Sequence, residues 1–206
     1  MNFSIYQLKP GFQRLLQPVL ATLARLHVTP NQITVAAMLL SLAYGAALAH
    51  FPGEPGWWLG VPVFMFLCMA MNAVDGMLAN FTNRKTPLGA LLNEICDQVS
   101  DAALVLPFAL ARDINAPLLV VTVMMALLVE FAGVAALLVG SPRRFDGPMG
   151  KSDRAFAFGL LAVLFACGTP ALALNGLLGA ILLLLGWTLF SRVRRALLHR
   201  TPPPTP

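Results

Sequence analysis

Four carboxylates fall within one short window of a chain that is otherwise strongly apolar. The window runs from Asn72 to Asp101 and holds four of the nine acidic residues, with long hydrophobic runs on both sides. They are Asp75, Glu94, Asp97 and Asp101. A carboxylate in a membrane-depth helix costs about 2.5–3.5 kcal/mol on insertion scales, so it is rarely present without a partner or a function. We therefore expect the chemistry of the protein in this window.

A single polar break divides the window into the two helices of a predicted antiparallel hairpin. The break is the run F-T-N-R-K-T-P at 81–87. Steps of three and four residues place polar and small residues on one face of each helix. The two sets are Asn72, Asp75, Gly76 and Ala79 on the first helix, and Gly89, Asn93, Asp97 and Asp101 on the second. The hairpin should bring the two faces together as a pocket of carboxylates and carboxamides.

Such a pocket offers oxygen ligands, which suit a hard divalent cation. Mg²⁺ and Mn²⁺ prefer these ligands and often add substrate phosphates to their shell, whereas no His or Cys spacing suits zinc. We expect the metal ligands to be Asp75, Asp97, Asn72 and Asn93. The alternative is structural, with two bundle-stabilising carboxylates and two asparagines that form interhelical hydrogen bonds worth about 0.6–2 kcal/mol each.

The spacing of this window resembles a family signature. Members of the CDP-alcohol phosphotransferases (CDP-alcohol phosphatidyltransferases), integral membrane enzymes of phospholipid synthesis, share D-x-x-D-G-x-x-A-R-x(8)-G-x-x-x-D-x-x-x-D. Every spacing and both glycines are kept here, from Asn72 to Asp97. Three side chains depart from the pattern, since Asn72 and Asn93 replace aspartates and Asn80 replaces the arginine. The T-P-N run at 29–31 also resembles the segment that often opens the first span in this family.

The resemblance implies a catalytic residue and a set of substrate contacts. Asp97 stands at the position of the family's proposed general base and would also ligate the metal. We expect substrate contacts at Gly76, Ala79, Asn80, Gly89, Asp101, Lys151 and Arg154. Gly76, Ala79 and Gly89 leave room for close approach to the backbone, and Asp101 could restore negative charge missing at the asparagines. The Gly150–Lys151 pair resembles a segment of some phosphatidylglycerophosphate synthases, which favours headgroup contact over membrane-surface anchoring for Lys151 and Arg154.

Two other acidic residues receive different interpretations. Glu94 points about 100° away from Asn93 around the helix and should meet a loop cation. Glu130 lies near the middle of an apolar run. We interpret it as a hydrogen-bonded carboxylate inside the bundle, with a direct role in the site as the alternative.

Composition predicts an all-α, polytopic membrane protein. The 206 residues are 58% hydrophobic and 11% charged, which is typical of several membrane spans. We expect no cleavable signal peptide, and three isolated cysteines that remain reduced. The net charge of +5 comes from basic residues beside the apolar runs, so membrane lipids rather than nucleic acid are the expected partners.

The order of apolar runs predicts six transmembrane helices after an interfacial amphipathic helix. Residues 1–28 are predicted to form that juxtamembrane helix, with an ordinary helix packed on the bundle as the alternative. Residues 29–198 are predicted to form the six-helix catalytic domain, and residues 199–206 a disordered Pro-rich tail. The predicted spans are 31–50, 57–83, 87–111, 116–140, 155–173 and 174–192. Thr29 and Gln32 should form a capping box at the start of the first span.

Basic residues are distributed unequally between the two sides of this arrangement. Thirteen of the fourteen lie on the side of both termini, and only Arg112 lies on the other. The positive-inside rule therefore places both termini in the cytoplasm, with the site open to the cytoplasm of a bacterial-type inner membrane.

The function predicted from the resemblance is transfer of a phosphatidyl group from a CDP-alcohol, most simply CDP-diacylglycerol, to a hydroxyl acceptor with release of CMP. Mg²⁺ or Mn²⁺ would be the cofactor. The alternatives are a relative that binds CDP-lipid without turnover and a cation- or proton-coupled transporter that uses the same carboxylates. The acceptor alcohol stays open, and a homodimer is one of the oligomeric states considered.

Overall fold

The structure is a computed structural model that describes the backbone of residues 9–199 and the side chains of residues 17–199. Helices account for its regular structure, and the described residues contain no strand, which confirms the all-α prediction. The α-helices are α1 (Lys9–Arg25), α2 (Pro30–His50), α3 (Pro55–Phe81), α4 (Pro87–Val105), α5 (Ala116–Ala135), α6 (Lys151–Ala166) and α7 (Ala171–Leu198). Two 3₁₀ helices, Leu106–Leu110 and Ala136–Val139, extend α4 and α5.

Four helices of the described chain are long and apolar enough to cross a membrane. They are Pro30–His50, Pro55–Phe81, Ala116–Val139 and Ala171–Leu198. Many large apolar side chains on them face outward, among them Leu138, Leu172 and Leu183 at 86%, 88% and 77% exposure. Surfaces of this kind are expected of helices that face lipid. The third and fifth predicted spans correspond to α4 and α6, which are not both long and apolar enough to be included among these four. Their crossing of the membrane stays a prediction.

The reason differs for these two helices. α4 carries Glu94, Asp97 and Asp101, which lower its hydropathy. α6 has 16 residues and ends at Ala166, seven residues before the predicted end of the fifth span. Gly168 takes a left-handed conformation with φ of 73°, and the Thr169 amide donates to the Leu164 carbonyl. Glycine adopts this conformation without the strain of a Cβ, so the helix ends there.

The described chain divides into two compact units. The first contains Phe66–Asp101 together with the chain up to Ala43, and the second contains Tyr44–Met65 and the chain from Ala102 onward. In the first unit, Leu20 of α1, Ile33 of α2, and Val74 and Leu78 of α3 form one buried cluster. This cluster fixes the mutual register of the three helices within the unit.

The passage from α1 to α2 follows the predicted capping chemistry. α1 ends where His27 takes a φ of 57° and the Val28 amide donates to the Leu23 carbonyl. The Thr29 amide then donates to Gln32 Oε1 at 2.8 Å, and the Gln32 amide donates to Thr29 Oγ1 at 3.3 Å. These reciprocal bonds confirm the capping box. The interfacial position predicted for residues 1–28 stays a prediction, and residues 1–8, like the tail from residue 200, lie outside the described residues.

The second unit is built on α5, which packs along α7. Its aromatic centre is Trp58, fully buried against Phe108 and Phe165 at ring-centroid distances of 4.6 and 5.1 Å. The Trp58 indole donates to the Pro52 carbonyl at 3.0 Å. A buried indole ring whose N–H is hydrogen-bonded stabilises the core of this unit.

Candidate active site

The polar break predicted at 81–87 is a short turn between α3 and α4. Asn83 adopts a φ of 52°, and the Arg84 amide donates to the Ala79 carbonyl at 3.0 Å. Thr86 Oγ1 then accepts from the Gly89 amide at 3.0 Å, and Pro87 is the first residue of α4. Proline at the first helical position has no N–H to leave unsatisfied. The two predicted helices and the turn between them are confirmed.

Asp75 is the most deeply placed carboxylate of this segment. It is 4% exposed, and its Oδ2 accepts a hydrogen bond from Thr34 Oγ1 at 2.5 Å. Thr34 is buried to the same degree and lies one turn into α2. A buried carboxylate needs such partners, because an isolated one would be very costly. The sequence prediction included Asp75 but not Thr34.

Asp75 and Asp97 lie near the same buried thiol. Cys96 is 4% exposed, and both carboxylates are close enough to interact electrostatically with its sulfur. Asp97, Asn72 and Asn93 are half-buried. The first unit thus holds a carboxylate of α3 and a carboxylate of α4 within electrostatic range of the same thiol.

The carboxylates of this region supply only some of the ligands that a divalent cation needs. Among the described residues, no three side chains of the His, Cys, Asp or Glu types come together in a way that could hold a metal ion. A site at Asp75 and Asp97 would therefore have to draw further oxygen atoms from the asparagine carboxamides or from a bound substrate. Mg²⁺ commonly uses one or two carboxylates together with substrate phosphates, and this donor set matches that pattern.

The two signature glycines have different surroundings. Gly76 is exposed, and a Cβ built on it would meet no heavy atom within 4 Å. A Cβ on Gly89 would lie 2.9 Å from Asn31 Oδ1 and 3.1 Å from Thr86 Oγ1. The close approach expected at Gly89 is thus made by Asn31 of α2, while the space at Gly76 is open. Their substrate contacts stay predictions.

Ala79 and Asn80 complete the first half of the signature. Ala79 is half-buried and its carbonyl closes the turn after α3. Asn80 is exposed, and its Nδ2 donates to the Gly76 carbonyl at 2.9 Å. An asparagine that bonds to its own helix four residues back is held along the helix rather than extended from it. The half-buried Asp101 lies one turn beyond Asp97 on α4.

The remaining predicted site residues, Lys151 and Arg154, lie in the second unit at the start of α6. Lys151 is half-buried. Arg154 is 3% exposed, and its Nη1 donates to Glu130 Oε1 at 2.6 Å. Arg192 of α7 is 1% exposed and lies 3.3 Å from Glu130 Oε2, while Arg143 lies 3.9 Å from the same oxygen. The hydrogen-bonded interpretation of Glu130 is confirmed. Charged partners were not foreseen.

The loop before α6 is fixed by polar contacts within the second unit. The Met149 amide donates to Thr188 Oγ1 at 3.0 Å, and the Arg144 amide donates to the Gly133 carbonyl at 3.0 Å. Asp146 pairs with Arg144 at 2.8 Å and Arg195 at 2.7 Å. Sequence reasoning missed Asp146 and its partners, although the clusters of basic residues in the loop and at the end of α7 were a signal.

Comparison with known proteins relates the chain to enzymes of phospholipid synthesis. The family model described as CDP-alcohol phosphatidyltransferase matches residues 27–191. The chain is 43% identical over 196 residues to the inner membrane protein YnbA of Escherichia coli K12, with 95% of this chain and 97% of that protein covered.

Two further relatives have names that specify a reaction. The archaetidylinositol phosphate synthase of Pyrococcus horikoshii is 26% identical, over 72% of this chain and 76% of the relative. The phosphatidylinositol phosphate synthase of Corynebacterium glutamicum is 34% identical, over 47% and 42% of the two chains.

Proposed function

Because the chain belongs to the CDP-alcohol phosphatidyltransferase family, we propose that it transfers a phosphatidyl group from CDP-diacylglycerol to a hydroxyl acceptor and releases CMP. Members of this family use CDP-alcohol donors, alcohol acceptors and divalent metal ions. The observation that carries the proposal is the buried Asp75, hydrogen-bonded to Thr34 and close, with Asp97, to one thiol. These two carboxylates stand at signature positions whose spacing the chain keeps.

The cofactor of the proposed reaction is Mg²⁺ or Mn²⁺, held by Asp75 and Asp97 with the carboxamide oxygens of Asn72 and Asn93. When bound, it would neutralise charge on the donor diphosphate and on the transferring phosphoryl group. The all-oxygen donor set and the burial of Asp75 support this assignment.

The number of ions follows from the charge of the signature positions. Four aspartates would supply a charge of −4 there, whereas Asp75 and Asp97 supply −2. Two divalent ions a few ångströms apart would repel each other strongly unless other negative charge offset them. The substrate-free protein should therefore hold at most one ion, and the donor diphosphate would bring in any second one.

Asp97 is the proposed general base. Its carboxylate would accept the proton of the acceptor hydroxyl while the acceptor oxygen forms its bond to the phosphorus of the phosphatidyl group. The bond between that phosphorus and the bridging oxygen breaks, and CMP leaves with the electron pair. Gly76, Ala79, Asn80 and Gly89 would face the donor, and Asp101 would add negative charge to the pocket. Helices that hold donor and acceptor in line contribute by orientation.

The acceptor is the least defined part of the proposal. Relatives named for phosphatidylinositol phosphate and archaetidylinositol phosphate synthesis favour a polyol that already carries a phosphate as the first class to test. Lys151 is the proposed headgroup contact. Arg154 would contact the headgroup through its guanidinium, which its buried ion pair with Glu130 holds in a fixed position.

The proposed membrane arrangement keeps the six spans and adds the interfacial α1. α4 and its 3₁₀ extension reach from Pro87 to Leu110, and at about 1.5 Å per helical residue this length suffices for a hydrocarbon core of about 30 Å. Both termini and the loop before α6 would be cytoplasmic. The site would then face the compartment that supplies nucleotide-activated lipid.

One reconstitution experiment separates this function from its alternatives. The purified chain in liposomes is given CDP-diacylglycerol, Mg²⁺ or Mn²⁺, and a panel of phosphorylated and unphosphorylated polyols, and CMP is measured. Acceptor-dependent CMP release is expected. Metal-dependent binding of CDP-diacylglycerol without CMP release with any acceptor would instead indicate a binding protein. Ion-gradient-dependent flux without CMP release would indicate a transporter.

A further inference from the structure

Thr34 is a buried hydroxyl that the signature does not include, and it contacts a carboxylate that the signature does include. Its Oγ1 lies 2.5 Å from Asp75 Oδ2, across 41 residues of sequence. Both residues are 4% exposed. A short, fully buried bond between a hydroxyl and a carboxylate is of the strong, charge-assisted kind.

Two features of the first unit bring these residues together. The capping box of Thr29 and Gln32 fixes the first turn of α2, and Thr34 lies directly after that turn. The neighbours of the two partners in sequence, Ile33 and Val74, belong to the same buried cluster. Because this packing sets the register of α2 against α3, the contact between Thr34 and Asp75 follows from the core of the unit.

The hydroxyl has one proton and two acceptors within reach. The Pro30 carbonyl lies 3.2 Å from Thr34 Oγ1, and Asp75 Oδ2 is closer by 0.7 Å. A negatively charged oxygen is also the stronger acceptor. The proton is therefore directed to Asp75, and the Pro30 carbonyl keeps only a weak contact. A donor on one oxygen restricts rotation of the carboxylate about its Cβ–Cγ bond.

We propose that Thr34 is a positioning residue that orients the Asp75 carboxylate for a divalent cation. The inference rests on the proposed function, since it takes Asp75 as a metal ligand. Residues that hydrogen-bond to metal ligands fix the ligand's orientation, and their loss typically lowers metal affinity by about 10–100-fold. Thr34 itself touches neither substrate nor metal in this role.

The test is a titration of the substrate-free, full-length protein with Mn²⁺, in which free Mn²⁺ is counted by its paramagnetic resonance signal. Thr34→Val keeps the shape of the side chain and removes the hydroxyl, and Thr34→Ser restores the hydroxyl. The matched control is Thr122→Val, because Thr122 is equally buried and its hydroxyl donates to the Leu118 carbonyl of its own helix. Thr34→Ala is the second variant if Thr34→Val does not fold.

We expect the dissociation constant for Mn²⁺ to rise about 10–100-fold in Thr34→Val and to stay near the wild-type value in Thr34→Ser and Thr122→Val. CMP release by the wild type is measured in parallel. If the wild type releases CMP and Thr34→Val binds Mn²⁺ as the wild type does, the inference is overturned and the proposed function stands. Equal weakening in Thr34→Ser would also overturn it, since packing would then be the cause. A wild type that neither binds Mn²⁺ nor releases CMP overturns both.

Discussion

Because the space around Gly76 is open, a methyl group added there should raise the stability of the protein and lower its activity. Gly76 lies inside α3, five residues before its end, and an added Cβ meets no heavy atom within 4 Å. Alanine in a helix interior is more stable than glycine by about 0.5–1 kcal/mol. Gly76→Ala should therefore stabilise the substrate-free protein by about that amount, which is roughly a 1–4 °C rise in Tm for a chain of this size.

The same methyl group should lower the rate of transfer. If the donor approaches the α3 backbone at Gly76, the added methyl overfills a closely packed contact, and overpacking typically costs about 1–3 kcal/mol. A loss of that size in transition-state stabilisation is about a five- to 150-fold drop in kcat/KM. Thermal unfolding without substrate and CMP release with saturating acceptor measure the two effects separately.

Two other glycines serve as controls. Gly176 in α7 is also exposed with open space around it, so Gly176→Ala should give a similar rise in Tm and leave kcat/KM unchanged. Gly89→Ala should give no such rise, because its Cβ would lie 2.9 Å from Asn31 Oδ1. A Gly76→Ala protein that is more stable and fully active would refute the idea that substrate approaches the helix at this point.

Three other predictions concern the base, the metal and the membrane orientation. Asp97→Asn should lower CMP release by about 10²–10⁴-fold, because that is the usual contribution of a general base, while metal-dependent donor binding persists. Near-normal turnover in this variant would make Asp101 the candidate base instead. Anomalous scattering or titration should find at most one divalent ion in the substrate-free protein. The double variant Asn72→Asp with Asn93→Asp should bind metal more tightly because of its added negative charge. Two occupied sites without nucleotide would contradict the charge argument. On a cysteine-free background, Phe145→Cys, at a loop position that is 67% exposed, should react with a membrane-impermeant thiol reagent only from the cytoplasmic side, and labelling from the opposite side alone would reverse the topology.

Local pattern was sufficient to predict the elements that carry the candidate site. The polar run at 81–87 divides two apolar periodic segments, and the structure has helices on both sides of a turn there. Thr29 and Gln32 predicted a capping box from their spacing alone, and both bonds are present. In each case the determining contacts lie within a few residues, where sequence spacing is a direct guide to geometry.

Contacts across long sequence separations could not be predicted in this way. Thr34 contacts Asp75 because Ile33 packs against α3. The register of α2 against α3 cannot be predicted from the sequence of either helix alone. Glu130 was expected to be hydrogen-bonded, but its partners Arg154 and Arg192 come from two other helices. The end of the fifth span was predicted at residue 173, whereas the left-handed conformation of Gly168 ends α6 at Ala166.

The acceptors of Arg192 have a consequence for how the second unit is assembled. Its guanidinium donates to the Val129 carbonyl, to Glu130 and to the Asp146 carbonyl. These acceptors lie 46 or more residues earlier in the sequence, so they are synthesised before the guanidinium that binds them. A protein variant that ends before α7 would lack the Arg192 guanidinium in its second unit. α7 therefore completes the polar centre of the second unit, and variants that end before Ala171 should be degraded faster than the chain that includes α7, even when the signature itself is intact.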